Sequence, residues 1–330
     1  MRCSVIILNW NGANMLRQFL PFLLPTAPDV EVVVADNGST DDSEDAVREV
    51  AAVRWLPLGQ NYGFAEGYNR AIASVDSEYV VLLNSDVQVS PHWLNTLLDY
   101  MDNHPTVAAC QPKIRKWTPS LDTDTPRFEH AGAAGGHIDI LGYPFCRGRV
   151  IDTVEEDYGQ YDSTEICFWA TGACMCIRKN IYKEVGGLDS DFFAHMEEID
   201  LCWRLNARGY QVACVPAAVV YHVGGASLNY GNPRKTYLNF RNNLLMLYKN
   251  APWYRLLWVL PVRCMMDYAA AANDLVHKRF ANAQAIVKAR LDFLRWLPKF
   301  APKRSSNIRL TTITHIPTIT NTSIVFKHYL

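Results

Sequence analysis

The segment EYVVLLNSDVQVS, residues 78–90, decides how this chain reads. Its residues 79–83 are apolar and rich in valine and leucine at consecutive positions, the pattern of a strand buried on both faces. The run stops abruptly at Asn84, Ser85 and Asp86, which places an amide, a hydroxyl and a carboxylate at one strand tip. In open α/β sheets ligands sit beyond the carboxyl ends of the strands, so such a tip points to a binding site. The competing account is structural: Asp86 or Ser90 caps the helix that Pro91 and Trp93 open.

The sequence around this strand favours the first account. Strands are expected at 3–8, 31–35, 53–57, 79–83 and 107–110, and helices at 13–24, 41–51, 64–73 and 91–103. Alternation of this kind builds a mostly parallel, Rossmann-like α/β sheet with helices on both faces. Residues 112–165 carry Pro, Gly, Asp and Thr with little periodicity and read as long loops and small hairpins. Strands are expected again at 166–177, 212–215 and 219–222, with helices at 180–185 and 196–208. The last third reads as helices at 234–249, 252–277 and 282–297, followed by an extended Thr/Ile-rich tail. We expect a catalytic or binding domain over 1–250, with halves 1–111 and 112–250, and a helical region over 251–330.

Composition narrows the class. The 330 residues carry a net charge of −1, so no basic excess argues for nucleic acid. Nine cysteines are scattered without metal-binding spacing, and Cys174 and Cys176 fall on one strand face as buried thiols, which suits a reducing cytoplasm. The chain opens directly with the strand-like CSVIIL rather than a signal sequence, and no run is long enough to span a bilayer.

Four strand ends bring polar groups to one sheet edge: Asn9-Trp10-Asn11-Gly12, Asp36-Asn37-Gly38-Ser39, Gln60-Asn61-Tyr62-Gly63 with Asn69 beyond, and Asn84-Ser85-Asp86. A carboxylate placed as Asp36 is can accept from a base imide or a ribose hydroxyl. Gly63, at the start of a helix, suits a phosphate or ribose contact. Taken in order, these elements resemble the nucleotide-binding half of family 2 inverting glycosyltransferases of the GT-A fold, in particular the rhamnosyltransferase-like branch. The second half carries TGACMC and GGLDSDFFAHMEEIDLCWRL, which resemble that family's acceptor and base region.

The resemblance implies a site. A nucleotide-diphospho-sugar would lie against Asn9, Asn11, Asp36, Asn37, Asn61, Gly63, Asn69, Asn84, Ser85, Asp86, Thr171 and Gly172. A divalent cation, Mn²⁺ or Mg²⁺, would be held by Asp86 and by His222 at the end of VVYH, with Asn84 beside them. Glu198 would be the base, with Glu197 or Asp200 supporting it. Glu197 and Glu198 diverge by about 100° on a helix, so both cannot face one substrate. Two features depart from the family pattern: the paired-aspartate element is reduced to NSD, and the base position is Glu rather than Asp. Arg241, Asn242 and Asn243 match a family Arg-Asn pair.

The first donor suggested is dTDP-L-rhamnose, with a UDP-hexose or UDP-N-acetylhexosamine as the alternative. The acceptor would be a saccharide, free or lipid-linked, at the cytoplasmic face of a bacterial membrane. Residues 278–304 hold eight Lys or Arg against one acid, Asp292, among large apolar residues. That mixture reads as an amphipathic face for an anionic membrane surface. Three other classes were weighed. A silent sugar-nucleotide-binding scaffold would keep the strand-tip residues, but the intact EEID element argues against it. A dehydrogenase would carry G-x-G-x-x-G after the first strand, where NWNGANML has none. A nucleotidylyltransferase would need a Gly-rich basic loop there.

Overall fold

The expected alternation becomes four parallel strands, β1 (Cys3–Asn9), β2 (Glu31–Asp36), β3 (Val53–Pro57) and β4 (Tyr79–Asn84), in the order β4-β1-β2-β3. Helices α1 (Ala13–Leu23), α2 (Ser43–Arg48) and α3 (Gly63–Ala73) form the crossovers. The computed structural model of the chain describes residues 1–27, 29–50, 52–121, 126–224 and 232–329. Alternate residues of each central strand feed two cores. Ile6, Val80 and Leu82 face one layer, while Val5, Ile7, Val81 and Leu83 face the other. A strand buried on both sides needs an unbroken apolar run, and that is how these strands read.

Beyond β4 come β5 (Val87–Val89), α4 (Trp93–Asn103) and β6 (Val107–Lys116). Four short antiparallel strands follow as a second sheet: β7 (Gly136–Ile138), β8 (Pro144–Cys146), β9 (Arg149–Val150) and β10 (Thr153–Val154). Then come β11 (Glu165–Cys167), β12 (Cys174–Arg178), α5 (Lys179–Glu184), α6 (Glu197–Ala207) and β13 (Gln211–His222). The main sheet is nine-stranded and mixed, because β12 inserts antiparallel between β4 and β6.

Three boundaries differ from expectation for physical reasons. The run 166–177 is two strands, since Trp169 turns inward over Gly136 and residues 168–173 leave the sheet. The strands at 212–215 and 219–222 are one strand, β13, with an irregularity between Val215 and Val219 where Pro216 supplies no N–H. β6 runs past Cys110 to Lys116 because its polar residues are buried and paired. Lys113 meets Asp157 at 2.9 Å deep inside the protein.

The C-terminal helices are α7 (Pro233–Asn250), α8 (Trp253–Val276), α9 (Phe280–Leu310) and α10 (Ile324–Tyr329). α9 passes through Pro298 and Pro302, so it is longer than expected, and the tail is not wholly extended: it ends in α10. In the basic stretch 278–304, expected to face an anionic membrane surface, six of the eight cations already have partners within the protein, among the described residues. Arg279 pairs with Asp274, Arg290 with Asp267 and Arg295 with Asp292. Lys299 and Lys303 bind Asp191, and Arg304 donates to the Tyr248 and Ala251 carbonyls. Ile286, Phe293 and Phe300 face inward. The exposed apolar surface lies instead on α8, at Trp253, Leu257, Met265 and Tyr268, and on Phe280, Leu291 and Leu294 of α9. Among the described residues no helix is long and apolar enough to cross a membrane.

Candidate active site

The tips of β1 and β2 are tied to each other. Asn9 donates from Nδ2 to Asp36 Oδ1 at 3.3 Å and to Ser39 Oγ at 3.1 Å. Its Oδ1 is buried without a partner. Asp36 Oδ2 accepts from the Ser39 amide at 3.0 Å, closing the turn. Asn11 stitches the two loops: its amide donates to Ser39 Oγ and its Oδ1 accepts from the Thr40 amide, each at 2.8 Å. Gly12 lies close to Ser85, so the first and fourth strand tips share one edge.

The third tip is occupied by its own neighbours. Asn37 donates to Asn61 Oδ1 and to the Gly63 carbonyl and accepts from the Tyr62 amide. The Gly63 amide is taken by Asn61 Oδ1 at 2.8 Å, and the Phe64 amide by the Phe193 carbonyl at 2.7 Å. Gly63 has φ of 79° and the Phe193 ring lies where a Cβ would be. These amides are therefore not available to a phosphate at the α3 N-terminus, contrary to the sequence reading of Asn61 and Gly63. Asn69 is also displaced from the expected role. It donates to the Leu188 carbonyl and accepts from the Leu188 amide and the Tyr182 hydroxyl, which fastens the GGLD turn. Thr171 is buried. Its amide donates to Gln111 Oε1 and its Oγ1 accepts from Ala173, so it shapes the turn that puts Gly172 beside Phe64.

The fourth tip carries an ionic chain. β5 and the end of β13 are antiparallel neighbours, with His222 opposite Val87. This register brings His222 Nε2 to 3.1 Å from Asp86 Oδ1 and 3.3 Å from Asn84 Nδ2. On its other side, Nδ1 lies 3.1 Å from Glu129 Oε2. Burial alone would lower the His222 pKa, but the two carboxylates outweigh it and push it up to about 10. Burial alone would raise the Asp86 and Glu129 carboxyls, and His222 holds both below the usual range instead. Glu129 escaped the sequence reading. It sits in an aperiodic loop, and nothing local marks it.

Asp86 and His222 are fitting oxygen and nitrogen donors for Mn²⁺ or Mg²⁺, the imidazole binding as the neutral ring, and the carboxylates of Asp86 and Glu129 favour positive charge here. Glu129 behind the imidazole is the usual second partner of a metal-bound histidine. No group of three or more ligating His, Cys, Asp or Glu side chains is assembled among the described residues, so a cation here would draw further oxygens from its ligand. The Gly225-Ala226-Ser227 run after His222 lies outside the described residues.

A second group of polar residues lies at the N-terminus of α6. Phe193, His195 and Met196 all have left-handed φ, at 65°, 70° and 74°. Such conformations are costly for residues with a Cβ and are kept where surrounding contacts impose them. Here the clamp is Asn242, whose Nδ2 reaches the carbonyls of Phe192, Ala194 and His195 at 2.9, 2.9 and 2.8 Å. Arg241 in turn holds Asn242 Oδ1. Three buried polar atoms of this segment have no partner: His195 Nε2, Glu197 Oε2 and Glu198 Oε2. Native proteins leave few such atoms, and they concentrate where a ligand completes the set. Burial raises the Glu198 carboxyl to about 7. It raises Glu197 well above the usual range, with the Glu198 charge adding to it. Burial lowers His195 to about 4.

Asp200 does not belong to this group. It is fully buried, accepting from Arg204, from Lys249 at 2.8 Å and from Asn250 at 2.7 Å. All its lone pairs are committed to holding α6 against α7.

The architecture has solved counterparts. A structure of GalNAc-T7 with UDP, GalNAc and Mn²⁺ superposes with a TM-score of 0.61 at 15% identity, covering 96% of this chain and 58% of that one. The Staphylococcus aureus TarS 1–349 complex with UDP-GlcNAc gives a TM-score of 0.58 at 14% identity, covering 94% and 89%. At such identities they establish the GT-A fold alone. Sequence relatives are nearer. N-acetylglucosaminyl-diphospho-decaprenol L-rhamnosyltransferase of Mycobacterium tuberculosis is 32% identical over 231 residues, 66% of this chain and 75% of that protein. Rhamnosyltransferase WbbL of Escherichia coli K12 is 24% identical over 226 residues, covering 66% and 82%. The profile described as glycosyl transferase family 2 matches residues 4–186, more than half of the chain, so this glycosyltransferase belongs to that family.

Proposed function

We propose that the protein is an inverting rhamnosyltransferase that moves L-rhamnose from dTDP-L-rhamnose to a hydroxyl of a lipid-linked saccharide. The observation that carries the chemistry is the half-buried Glu198, whose Oε2 is enclosed without a partner and whose pKa is raised to about 7 by desolvation. A base poised near neutrality with one oxygen uncommitted suits removal of a hydroxyl proton. The relatives named above, two of them rhamnosyltransferases, support the sugar, and the mycobacterial one supports a lipid-linked acceptor.

In this reading Asn9 Oδ1 and Asp36 receive the nucleoside. Asp86 and His222, with Asn84 beside them, hold a divalent cation, and Glu129 fixes the imidazole from behind. When bound, the cation supplies positive charge to the leaving diphosphate. Glu198 takes the acceptor proton as that oxygen attacks the anomeric carbon and the carbon–oxygen bond to the diphosphate breaks. Attack opposite the leaving group inverts the centre. Burial, and then the Glu198 charge, both disfavour ionisation of Glu197, which opposes a second negative charge beside the base. The exposed apolar residues of α8 and α9 would rest on the membrane surface that carries the acceptor, a looser and less electrostatic contact than the sequence alone suggested.

The test is a thermal-shift panel of dTDP, UDP, GDP and CDP with and without Mn²⁺, followed by transfer assays with the matching sugar nucleotides. A Mn²⁺-dependent shift with dTDP that is lost in Asp86→Ala, together with rhamnose transfer that is lost in Glu198→Gln, is the expected result. A shift with UDP alone would move the donor to a UDP-sugar. Binding without any transfer would return the scaffold reading.

A further inference from the structure

A cavity of about 850 Å³ opens between the segment leading to α6, the first turns of α7 and the middle of α9. That is the size of a small-molecule site. Its walls include Phe193, Arg234, Tyr237, Arg241, Lys288 and Trp296. Three of these are cations, and Asp191 is the single acid on the wall among the described residues. Asp191 is already neutralised, by Lys299 at 2.6 Å and Lys303 at 2.8 Å. Arg241 is spent on Asn242 and stacks on Trp296 at 4.3 Å. Arg234 and Lys288 are exposed and lean over aromatic rings, Arg234 over Phe193 at 5.3 Å and Lys288 over Tyr237 at 5.2 Å. Asp292, which accepts from the Tyr237 hydroxyl and is felt by Lys288, is itself paired with Arg295. The cavity therefore has more positive than negative charge around it and has aromatic walls. Leu291, one turn beyond Lys288 on α9, and Leu294 after it are 46% and 56% exposed, so an apolar strip leaves its mouth.

We propose that this cavity receives the phosphate-bearing end of the acceptor: a phosphate or diphosphate ester, held by Arg234 and Lys288, whose apolar chain runs out along α9. Phe193 is the wall shared with the catalytic segment, since its carbonyl binds the Phe64 amide and it stands five residues before Glu198. The saccharide attached to the anchored phosphate would extend past Phe193 toward the base. This inference rests on the transferase reading and adds a second, anionic subsite to it.

The probe is farnesyl diphosphate, titrated calorimetrically into the full chain in EDTA, so that no cation draws its diphosphate to the donor side. Farnesol, inorganic pyrophosphate and phosphatidylglycerol vesicles are the companion arms. Farnesyl diphosphate should bind at least about tenfold more tightly than farnesol or pyrophosphate, and Arg234→Ala/Lys288→Ala should weaken it about tenfold or more. Arg234→Lys should recover part of that loss, and Asp86→Ala should change nothing. Both substituted side chains are exposed, so the fold survives, and an unchanged nucleotide thermal shift verifies this. Equal affinity for farnesol and farnesyl diphosphate would overturn the proposal. So would loss of binding in Asp86→Ala but not in the double variant. Vesicle binding that depends on Arg234 and Lys288 while farnesyl diphosphate does not bind would assign the cations to the membrane instead. None of these results disturbs the donor-side reading, which stands or falls on the nucleotide panel.

Discussion

Removing the Asn242 amide should release the catalytic segment without unfolding the protein. Its Nδ2 faces three carbonyls within 2.9 Å but has only two protons, so the clamp amounts to two full hydrogen bonds. Two such bonds contribute about 2–3 kcal/mol net. The three left-handed residues they hold, Phe193, His195 and Met196, oppose that with about 1 kcal/mol of backbone strain each. The two terms are close, so without the clamp the strained conformer gives up its advantage. A loss of about 2–3 kcal/mol cuts its population, and with it kcat, by roughly 30- to 150-fold. Asn242→Asp is the sharper probe. It keeps the acceptor that Arg241 uses but turns the donor into an oxygen facing three oxygens. Transfer kinetics and limited proteolysis of 186–196 would read the release, while the nucleotide thermal shift should stay at the wild-type value. If Asn242→Asp retains more than about a third of wild-type kcat, the clamp argument is wrong.

Further outcomes follow from the same geometry. Glu198→Gln should lower kcat by about 10²–10⁴ with nucleotide binding unchanged. The wild-type kcat/KM should rise with pH through about 7, because burial keeps Glu198 protonated below that value and only the ionised form can take a proton; a flat profile from pH 5 to 9 would remove Glu198 as base. Glu129→Gln should weaken Mn²⁺ binding in the presence of dTDP about 10- to 100-fold in an electron paramagnetic resonance titration, while the melting temperature in the absence of cation moves only slightly. Asp200→Asn should instead act on stability, costing about 3–5 kcal/mol, because buried Arg204 loses its carboxylate and buried Lys249 keeps only Asp189. Denaturant melts measure this, and a variant as stable as wild type would contradict the network.

Much of the sheet was legible because its strands are buried on both faces and apolar throughout. The tips of β1, β2 and β4 were legible because polar residues break those runs abruptly. Glu129 and His195 were not, since each lies in irregular backbone and becomes significant only beside His222 or at the clamped turn before α6. Asn61, Gly63 and Asn69 were overread for the converse reason. A turn that organises a site and a turn that touches its ligand use the same small polar residues, and only the hydrogen-bond partners separate them. Asp200 shows this for charge: its place in EEID suggested chemistry, whereas its three partners lie in α6 and α7. The partners of the basic stretch of α9 were not legible either, because Asp191, which meets Lys299 and Lys303, lies far away in the sequence.

The cross-strand register of β5 and β13 has a consequence for timing. Asp86 and His222 face each other because Val87 and His222 pair, and the Val223 amide binds the Asp86 carbonyl at 3.1 Å. The two side chains therefore stand in place before any ligand arrives. Yet two donors and a neutral amide are too few to retain a free ion against water. In the proposed role the protein would not store metal. It would stay empty of cation until a nucleotide diphosphate brought one, so occupancy of the site would report that the donor is loaded.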